Sequence, residues 1–156
     1  MKFKKEVQEQ FRKAGWYEGR NLKKKYDKIN GFHELPDFLK EFLYEYGDLL
    51  VETNDPNNTF TGTLNLKAVS RKRLKIKTYL QKPSLEGNVL TFPVGFYQNT
   101  HFLYTVECDK TGAIYLMGEF PAKFKTSFKK GIEKIILEDH SGLDWDYQDQ
   151  IWEEED

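Results

Sequence analysis

Cys108 and His101 are the two residues whose types could together support nucleophilic catalysis. A cysteine nucleophile needs a base within hydrogen-bond reach. The two residues are seven positions apart in a segment that the sequence predicts to be extended. An odd separation along a straight strand places side chains on opposite faces. We therefore expect Cys108 to be a packed core residue and His101 a surface residue, without a shared site.

The sequence supports a metal site or a phosphate-binding loop no better than it supports nucleophilic catalysis. The three histidines, His33, His101 and His140, are widely scattered. No Cys/His pair has the spacing of zinc ligands, and neither GxGxxG nor a P-loop is present. We predict a protein that is not an enzyme, with no catalytic residues, no metal site and no cofactor.

The composition is that of one globular domain. The chain has 156 residues, 38% hydrophobic and 31% charged, which is ordinary for a domain with its own core. No segment approaches the roughly 20 apolar residues of a membrane-spanning helix. The N-terminus lacks the apolar run of a signal peptide, and a single cysteine suits a reducing compartment. We expect a cytoplasmic protein that does not contact a membrane.

Charge is distributed unevenly along the chain although the net charge is only −1. Residues 1–30 carry ten Lys/Arg against four Asp/Glu, whereas residues 138–156 carry nine Asp/Glu and no Lys/Arg. Residues 67–82, here called the basic band, hold seven basic residues and no acid. The seven are Lys67, Arg71, Lys72, Arg73, Lys75, Lys77 and Lys82. Such asymmetry bears on partners and on electrostatic steering.

Apolar periodicity predicts helices at both ends of the chain and strands between them. Helical spacing predicts helices over 3–14, 22–29, 36–46 and 128–136. Pro36 suits the start of the third helix, and Thr126 or Ser127 can cap the last. Alternation predicts strands over 49–52, 64–68, 74–80, 89–96, 102–108 and 113–117, although 74–80 also fits a short helix. Pro93 indicates an edge position or an irregularity in its strand.

This order of elements predicts an α+β domain. We expect an antiparallel sheet of about five or six strands, with N-terminal helices and one C-terminal helix packed on it. Residues 1–139 are predicted to form the domain and residues 140–156 an acidic, aromatic C-terminal extension, here called the tail.

The tail is the candidate partner-binding segment. It carries large apolar groups that a purely solvating extension would lack, and Trp and Tyr are enriched at binding hot spots. Three interpretations stay open: a solvated extension, a segment that packs on the basic band, or a surface for a basic partner. The residues we select for partner binding are Trp145, Asp146, Tyr147, Asp149 and Trp152.

The basic band suggests nucleic-acid binding as an alternative function of the chain. Single-stranded nucleic acid is bound by basic grooves with interleaved aromatics, and only Tyr79 lies within the band. Lysines at a solvated strand edge, which discourage unwanted strand pairing, explain the band better. We therefore expect nucleic acid not to be the partner.

Several residues together resemble the third SUKH immunity family. Residues 14–20 (AGWYEGR) resemble its opening "aGW.pgR" signature, and residues 35–49 its "P…FL..yGgL" helix and turn. Residues 92–95 (FPVG) resemble its "yPiG" strand, and residues 108–115 its "vDe.G.vY" hairpin. The residues that carry the likeness are Gly15, Trp16, Gly19, Arg20, Pro36, Gly47, Pro93, Gly95, Asp109, Gly112 and Tyr115.

The resemblance implies a function as well as a fold. SUKH domains are α+β folds, and they include cytoplasmic immunity proteins that bind and neutralise a cognate toxin, often a nuclease. It implies that this bacterial chain acts by binding a toxin, while its signature residues act first as scaffold. A regulatory or scaffold module with a non-toxin partner is the main alternative. The contact surface and the oligomeric state do not follow from the resemblance.

Overall fold

The structure, a computed structural model, describes residues 1–57, 61–81, 85–87 and 89–154. The helices within these ranges are α1 (Lys5–Lys13), α2 (Lys23–Tyr26), α3 (Asp37–Tyr46), α4 (Ile76–Tyr79) and α5 (Phe128–Ile136), with a 3-10 turn at Phe32–Glu34. The strands are β1 (Leu50–Glu52), β2 (Thr63–Asn65), β3 (Phe92–Gln98), β4 (Leu103–Cys108), β5 (Ile114–Met117), β6 (Ala122–Phe124), β7 (Leu143–Asp146) and β8 (Ile151–Glu154).

The strands form one antiparallel sheet in which each strand pairs with the next along the chain. The α+β class and the antiparallel sheet are confirmed, but the prediction of five or six strands is wrong because this sheet has eight. Five of the six predicted strands correspond to β1–β5. β6 contains only three residues, too few to show alternation, and the acidic composition of the tail obscured β7 and β8.

The strand predicted over 74–80 is also wrong, since Ile76–Tyr79 form α4. In so short a segment, Ile76 and Leu80 are four residues apart, which fits a helical face as well as alternation does. The short helix that the pattern left open is therefore the observed structure.

The helices cover one face of the sheet and enclose the core. Val51, Leu64, Val106 and Leu116 project from neighbouring strands into one buried cluster with residues of α1, α3 and α5. In α5, Gly131 lies against β5, because a Cβ there would come within 2.7 Å of Ile114 Cδ1. We call this the helix face of the sheet.

Local signals for the ends of the helices are confirmed. Pro36 is the N-cap of α3, and Ser127 caps α5 by accepting a hydrogen bond from the Lys130 backbone N–H at 3.2 Å. The predicted irregularity at Pro93 is confirmed too, since the β3–β4 register shifts between Pro93 and Gly95.

The opposite face, here called the outer face, is partly covered by the segment that follows β2. α4 contacts β3, and the Arg73 guanidinium lies 4.9 Å from the centre of the Phe96 ring. Further along, Glu86 accepts a hydrogen bond from Lys123 Nζ at 2.9 Å. Among the described residues, no helix has the length and apolar character needed to cross a bilayer.

Candidate functional site

Cys108 and His101 do not form a site. Cys108 is fully buried at the end of β4, and burial raises the pKa of its thiol, which disfavours the reactive thiolate. His101 is exposed and precedes the other end of that strand. Within the described part of the chain, no group of three or more His, Cys, Asp or Glu side chains could hold a metal ion.

The tail continues the sheet as a hairpin. β7 pairs with β6 through Ala122↔Asp144 and Lys123↔Leu143, and β8 pairs with β7 through Trp145↔Trp152. The last two residues of the predicted tail, 155 and 156, lie outside the described residues. The hairpin is therefore held by the same backbone pairing as the rest of the sheet.

Two of the predicted partner-binding residues anchor the hairpin on the outer face. The rings of Trp145 and Trp152 meet edge to face, with centroids 5.1 Å apart. Trp152 also contacts Tyr115 of β5 at 5.7 Å, and Lys123 Nζ lies 5.0 Å from the Tyr115 ring centre. In the part of the chain that the structure describes, the tail thus packs on β5 and β6.

The other three predicted residues lie at the tip of the hairpin. Asp146 Oδ1 accepts hydrogen bonds from the backbone N–H groups of Gln148 and Asp149 at 2.8 and 3.1 Å. This Asx-type cap orders the turn. Tyr147, with 62% of its surface exposed, and the exposed Asp149 then project into solvent. The tip offers an aromatic ring and carboxylates on a fixed backbone.

A buried carboxylate joins the end of α5 to the sheet and to the start of the tail. The Glu138 side chain is 1% exposed. It accepts hydrogen bonds from Tyr97 Oη at 2.5 Å and Thr53 Oγ1 at 2.5 Å, and His140 Nε2 lies 2.6 Å away. Burial acts to raise the pKa of Glu138, but these three partners outweigh it and hold the pKa below its ordinary value of 4.5.

An aromatic groove of about 380 Å³ opens on the helix face beyond the end of α5. Phe102 and Tyr104 of the β4 region line it with Phe120 of the β5–β6 turn and Asp144 of β7. Ring centroids are 6.0 Å apart for Phe102 and Tyr104, and 5.7 Å apart for Phe102 and Phe120. His140 also lines the groove, which therefore borders the Glu138 cluster.

The basic band forms one surface with the lysines of α2. Asp48 joins them, because it accepts hydrogen bonds from Lys25, Tyr26 and Ser70. Burial raises the pKa of Asp48, yet the hydrogen bonds from Lys25, Ser70 and Tyr26 outweigh it and lower that pKa. The last residue of the band, Lys82, lies outside the described residues. The band follows β2 and reaches across the outer face, where α4 contacts β3, whereas the acidic tail forms the β7–β8 end of the sheet.

Trp16 and Arg20, two residues of the family signature, lie in the scaffold between α1 and α3. Trp16 is buried and stacks on Tyr46 with centroids 6.0 Å apart, while the Arg12 guanidinium lies 5.0 Å from the Trp16 ring centre. Arg20 Nη1 donates to the Glu45 carbonyl at 2.6 Å. These contacts fix the N-terminal segment against the end of α3.

The glycines of the family signature lie either at turns or where neighbouring atoms leave no room for a side chain. Gly15 and Gly19 have φ values of +118° and +85°, a region that L side chains rarely adopt. At Gly47 a Cβ would overlap the Tyr26 hydroxyl. At Gly95 a Cβ would overlap the Asn65 carbonyl of β2. Gly47 and Gly95 are therefore required because a side chain would not fit there, and not because of their backbone conformation.

The signature hairpin between β4 and β5 is organised by Asp109. Its Oδ1 accepts from the backbone N–H groups of Thr111 at 2.9 Å and Ala113 at 3.2 Å. Its Oδ2 accepts from Tyr115 Oη at 2.8 Å, and Gly112 has a φ of +96°. Because Tyr115 also contacts Trp152, the hairpin supports the anchor of the tail.

Sequence reasoning missed the groove and the Glu138 cluster. Phe102 and Tyr104 are two residues apart in a predicted strand, so their shared face was available from the sequence. Phe120 and Asp144 join that face only because β6 and β7 extend the sheet. Glu138 precedes the tail, and no residue pattern around it predicts a buried carboxylate.

Comparison with known proteins identifies a family for this chain. The model of the SUKH-3 immunity protein family matches residues 3–138. No curated protein and no solved structure matches this chain. The matched segment runs from α1 to α5 and ends at Glu138, two residues before the tail. The chain belongs to the SUKH-3 immunity protein family.

Proposed function

We propose that this protein neutralises a cognate toxin by binding it directly in the bacterial cytoplasm. The family match over residues 3–138 is the observation that carries the proposal. An immunity protein needs a rigid surface complementary to its toxin and needs no catalytic group.

The tail hairpin supplies the contact surface in this proposal. Trp145 and Trp152 hold the hairpin on the sheet, while Tyr147, Asp149 and Ile151 are exposed. An exposed tyrosine flanked by carboxylates on ordered backbone resembles the anchor of an interface hot spot. Prior ordering lowers the conformational entropy lost on binding.

The toxin in this proposal presents a basic surface, as expected of a nuclease. Residues 138–156 carry nine Asp/Glu and no Lys/Arg. Carboxylates aligned on the last two strands can occupy the positions where a nuclease would hold phosphates. Opposite charge on the two partners speeds their encounter.

Co-expression tests the proposal. The chain is used as bait in extract of its native cells, and each retained protein is expressed alone in a bacterial host. We expect one retained protein to arrest growth and co-expression of this chain to restore it. Truncation after Asp139 should abolish that protection, whereas Tyr17→Ala, at an exposed aromatic remote from the tail, should preserve it. A retained partner that is harmless would instead support a regulatory or scaffold role.

A further inference from the structure

The groove beside the tail has the chemistry of a site for a cation with a flat face. Three aromatic rings line it, and the rim residue Phe120 is 62% exposed. No lysine or arginine is found among the described residues that line it. Ring faces carry negative charge density and attract cations placed over them. Such a lining favours a cationic group over an anionic one.

Two carboxylates strengthen this preference. Asp144 lines the groove, and Glu119 adjoins it in the turn that carries Phe120. Neither side chain makes a hydrogen bond or ion pair with another residue in the described ranges. Burial raises the pKa of Tyr104, and the charges of Glu119 and Asp144 raise it further. Their negative potential therefore reaches the phenol on the groove wall.

The Glu138 cluster holds the wall of the groove in place. Tyr97 stacks on Tyr104, with centroids 6.1 Å apart, and Tyr97 is fixed by its hydrogen bond to Glu138. His140, 5.6 Å from the Tyr97 ring, closes the same side. Because Glu138 is satisfied within this cluster, Asp144 is the lining carboxylate that remains available to a ligand.

We propose that the groove receives an arginine side chain of the partner protein, stacked on its aromatic wall and paired with Asp144. Guanidinium is planar, stacks on aromatic rings and forms forked hydrogen bonds with carboxylates, whereas ammonium has no flat face. β7 lines the groove and also forms the first strand of the tail hairpin, so an occupant could contact both surfaces. The inference rests on the proposed function, because it assumes a basic protein partner.

Two capped peptides test the groove without the toxin. Acetyl-GRGRG-amide and acetyl-GKGKG-amide carry the same charge, so they differ in stacking and in forked hydrogen bonding and not in net electrostatic attraction to the acidic tail. They are titrated into the full chain at pH 7.5 while the aromatic NMR signals of the protein are recorded. We expect at least threefold tighter binding of the arginine peptide, with shifts at Phe102, Tyr104 and Phe120.

Exposed positions supply the variants, so folding is little affected. Phe120→Ala and Asp144→Asn should each reduce the affinity for the arginine peptide at least threefold and bring it to that of the lysine peptide. Phe120→Tyr keeps the ring and should keep the preference. Leu103→Ala removes an exposed apolar side chain of the same strand as Tyr104 from the outer face and should change nothing.

Equal affinity of the wild type for the two peptides would overturn the inference, as would a preference that survives both Phe120→Ala and Asp144→Asn. Either result leaves the proposed function standing if the chain still protects cells. The converse result is an arginine preference in a chain that protects against no retained partner. That result would overturn the proposed toxin neutralisation and leave the arginine site in the groove standing.

Discussion

At the scale of single residues, Glu138 shows how a buried charge is retained in this fold. An ionised carboxylate that is 1% exposed would be costly without compensation. Hydrogen bonds from Tyr97 and Thr53, with His140 alongside, provide that compensation. The same carboxylate ties the end of α5 to β3 and to the segment leading into β7. Its charge therefore affects both the stability of the core and the position of the tail.

The lowered pKa of Glu138 predicts a defined loss of stability in acid. In the unfolded chain the pKa of a glutamate is about 4.3, and in the folded chain the pKa of Glu138 is lower than its ordinary value. The folded state thus gains stability at pH values above the unfolded pKa. That contribution disappears as the pH falls through the folded pKa.

Glu138→Gln should lower the free energy of unfolding by about 2 kcal/mol at pH 7, because charged hydrogen bonds of the buried group are weakened. It should also flatten the loss of stability as the pH falls below the unfolded pKa and through the folded pKa of Glu138. Urea denaturation across that range provides the measurement. Glu9→Gln, at an exposed position of α1, serves as the control. If the Glu138→Gln variant keeps the acid dependence of the wild type, Glu138 does not govern this transition.

At the scale of elements, the tail hairpin depends on side-chain contacts that cross from one strand to another. Trp152 lies between Trp145 of β7 and Tyr115 of β5. Its indole N–H is buried and finds no acceptor among the residues that the structure describes. Trp152 thus contributes through its ring area and shape, and its polar group contributes nothing to the hairpin.

Two substitutions at Trp152 should separate these contributions. Trp152→Ala should destabilise the hairpin by about 2 kcal/mol, through lost area and lost aromatic pairs. Trp152→Phe should cost less than about 1 kcal/mol, since a ring remains and the lost N–H had no partner. Hydrogen exchange of the amides at 143–154 reports the effect locally. Equal protection in the Ala variant and the wild type would contradict an anchoring role.

Elements of the core that bury one regular face were predictable from periodicity. α1, α3, α5, β1, β2 and β4 follow that rule, whereas β3 and β5 are buried on both faces. Local signals such as Ser127 and Pro93 marked the start of a helix and an irregularity in a strand. In β7, Asp144 and Asp146 alternate with Leu143 and Trp145, as in a strand, but the acidity of the segment suggests an extension and obscured this signal. The stability of β7 and β8 comes from pairing with β6 and from contact with Tyr115, which is distant in the sequence.

The candidate site divides in the same way. Composition alone selected Trp145, Tyr147 and Trp152, since large aromatics in an acidic tail are unusual. Their separate positions, two as anchors and one at the exposed tip, follow from the strand register. The groove depends on strands β4 to β7 coming together, so no local sequence pattern could show it.

At the scale of the whole molecule, the uneven charge along the sequence forms two separate charged surfaces. The basic band crosses the outer face to β3, and the acidic tail forms the β8 edge of the sheet. A molecule with a net charge of −1 therefore presents two surfaces of opposite sign. A basic partner is attracted by the tail and repelled by the basic band, which orients the encounter.

This arrangement predicts a salt-dependent association rate. Replacing Asp149 and Glu154 by their amides should slow association with the toxin several-fold at low salt. The difference should shrink toward 150 mM salt, where the screening length falls to about 8 Å. The matched pair Lys72→Gln and Lys75→Gln should not slow association. Stopped-flow mixing at several salt concentrations provides the rates, and identical rates for wild type and tail variants at low salt would argue against steering by the tail.

Titration of the purified toxin shows whether this protein neutralises it by direct binding. The toxin identified by co-expression is held at a fixed concentration while its activity is measured against increasing amounts of this protein. Activity should fall in proportion to the protein added until all of the toxin is held in a stable complex. The chain truncated after Asp139 should inhibit far more weakly. Undiminished toxin activity in the presence of excess full-length protein would contradict neutralisation by direct binding.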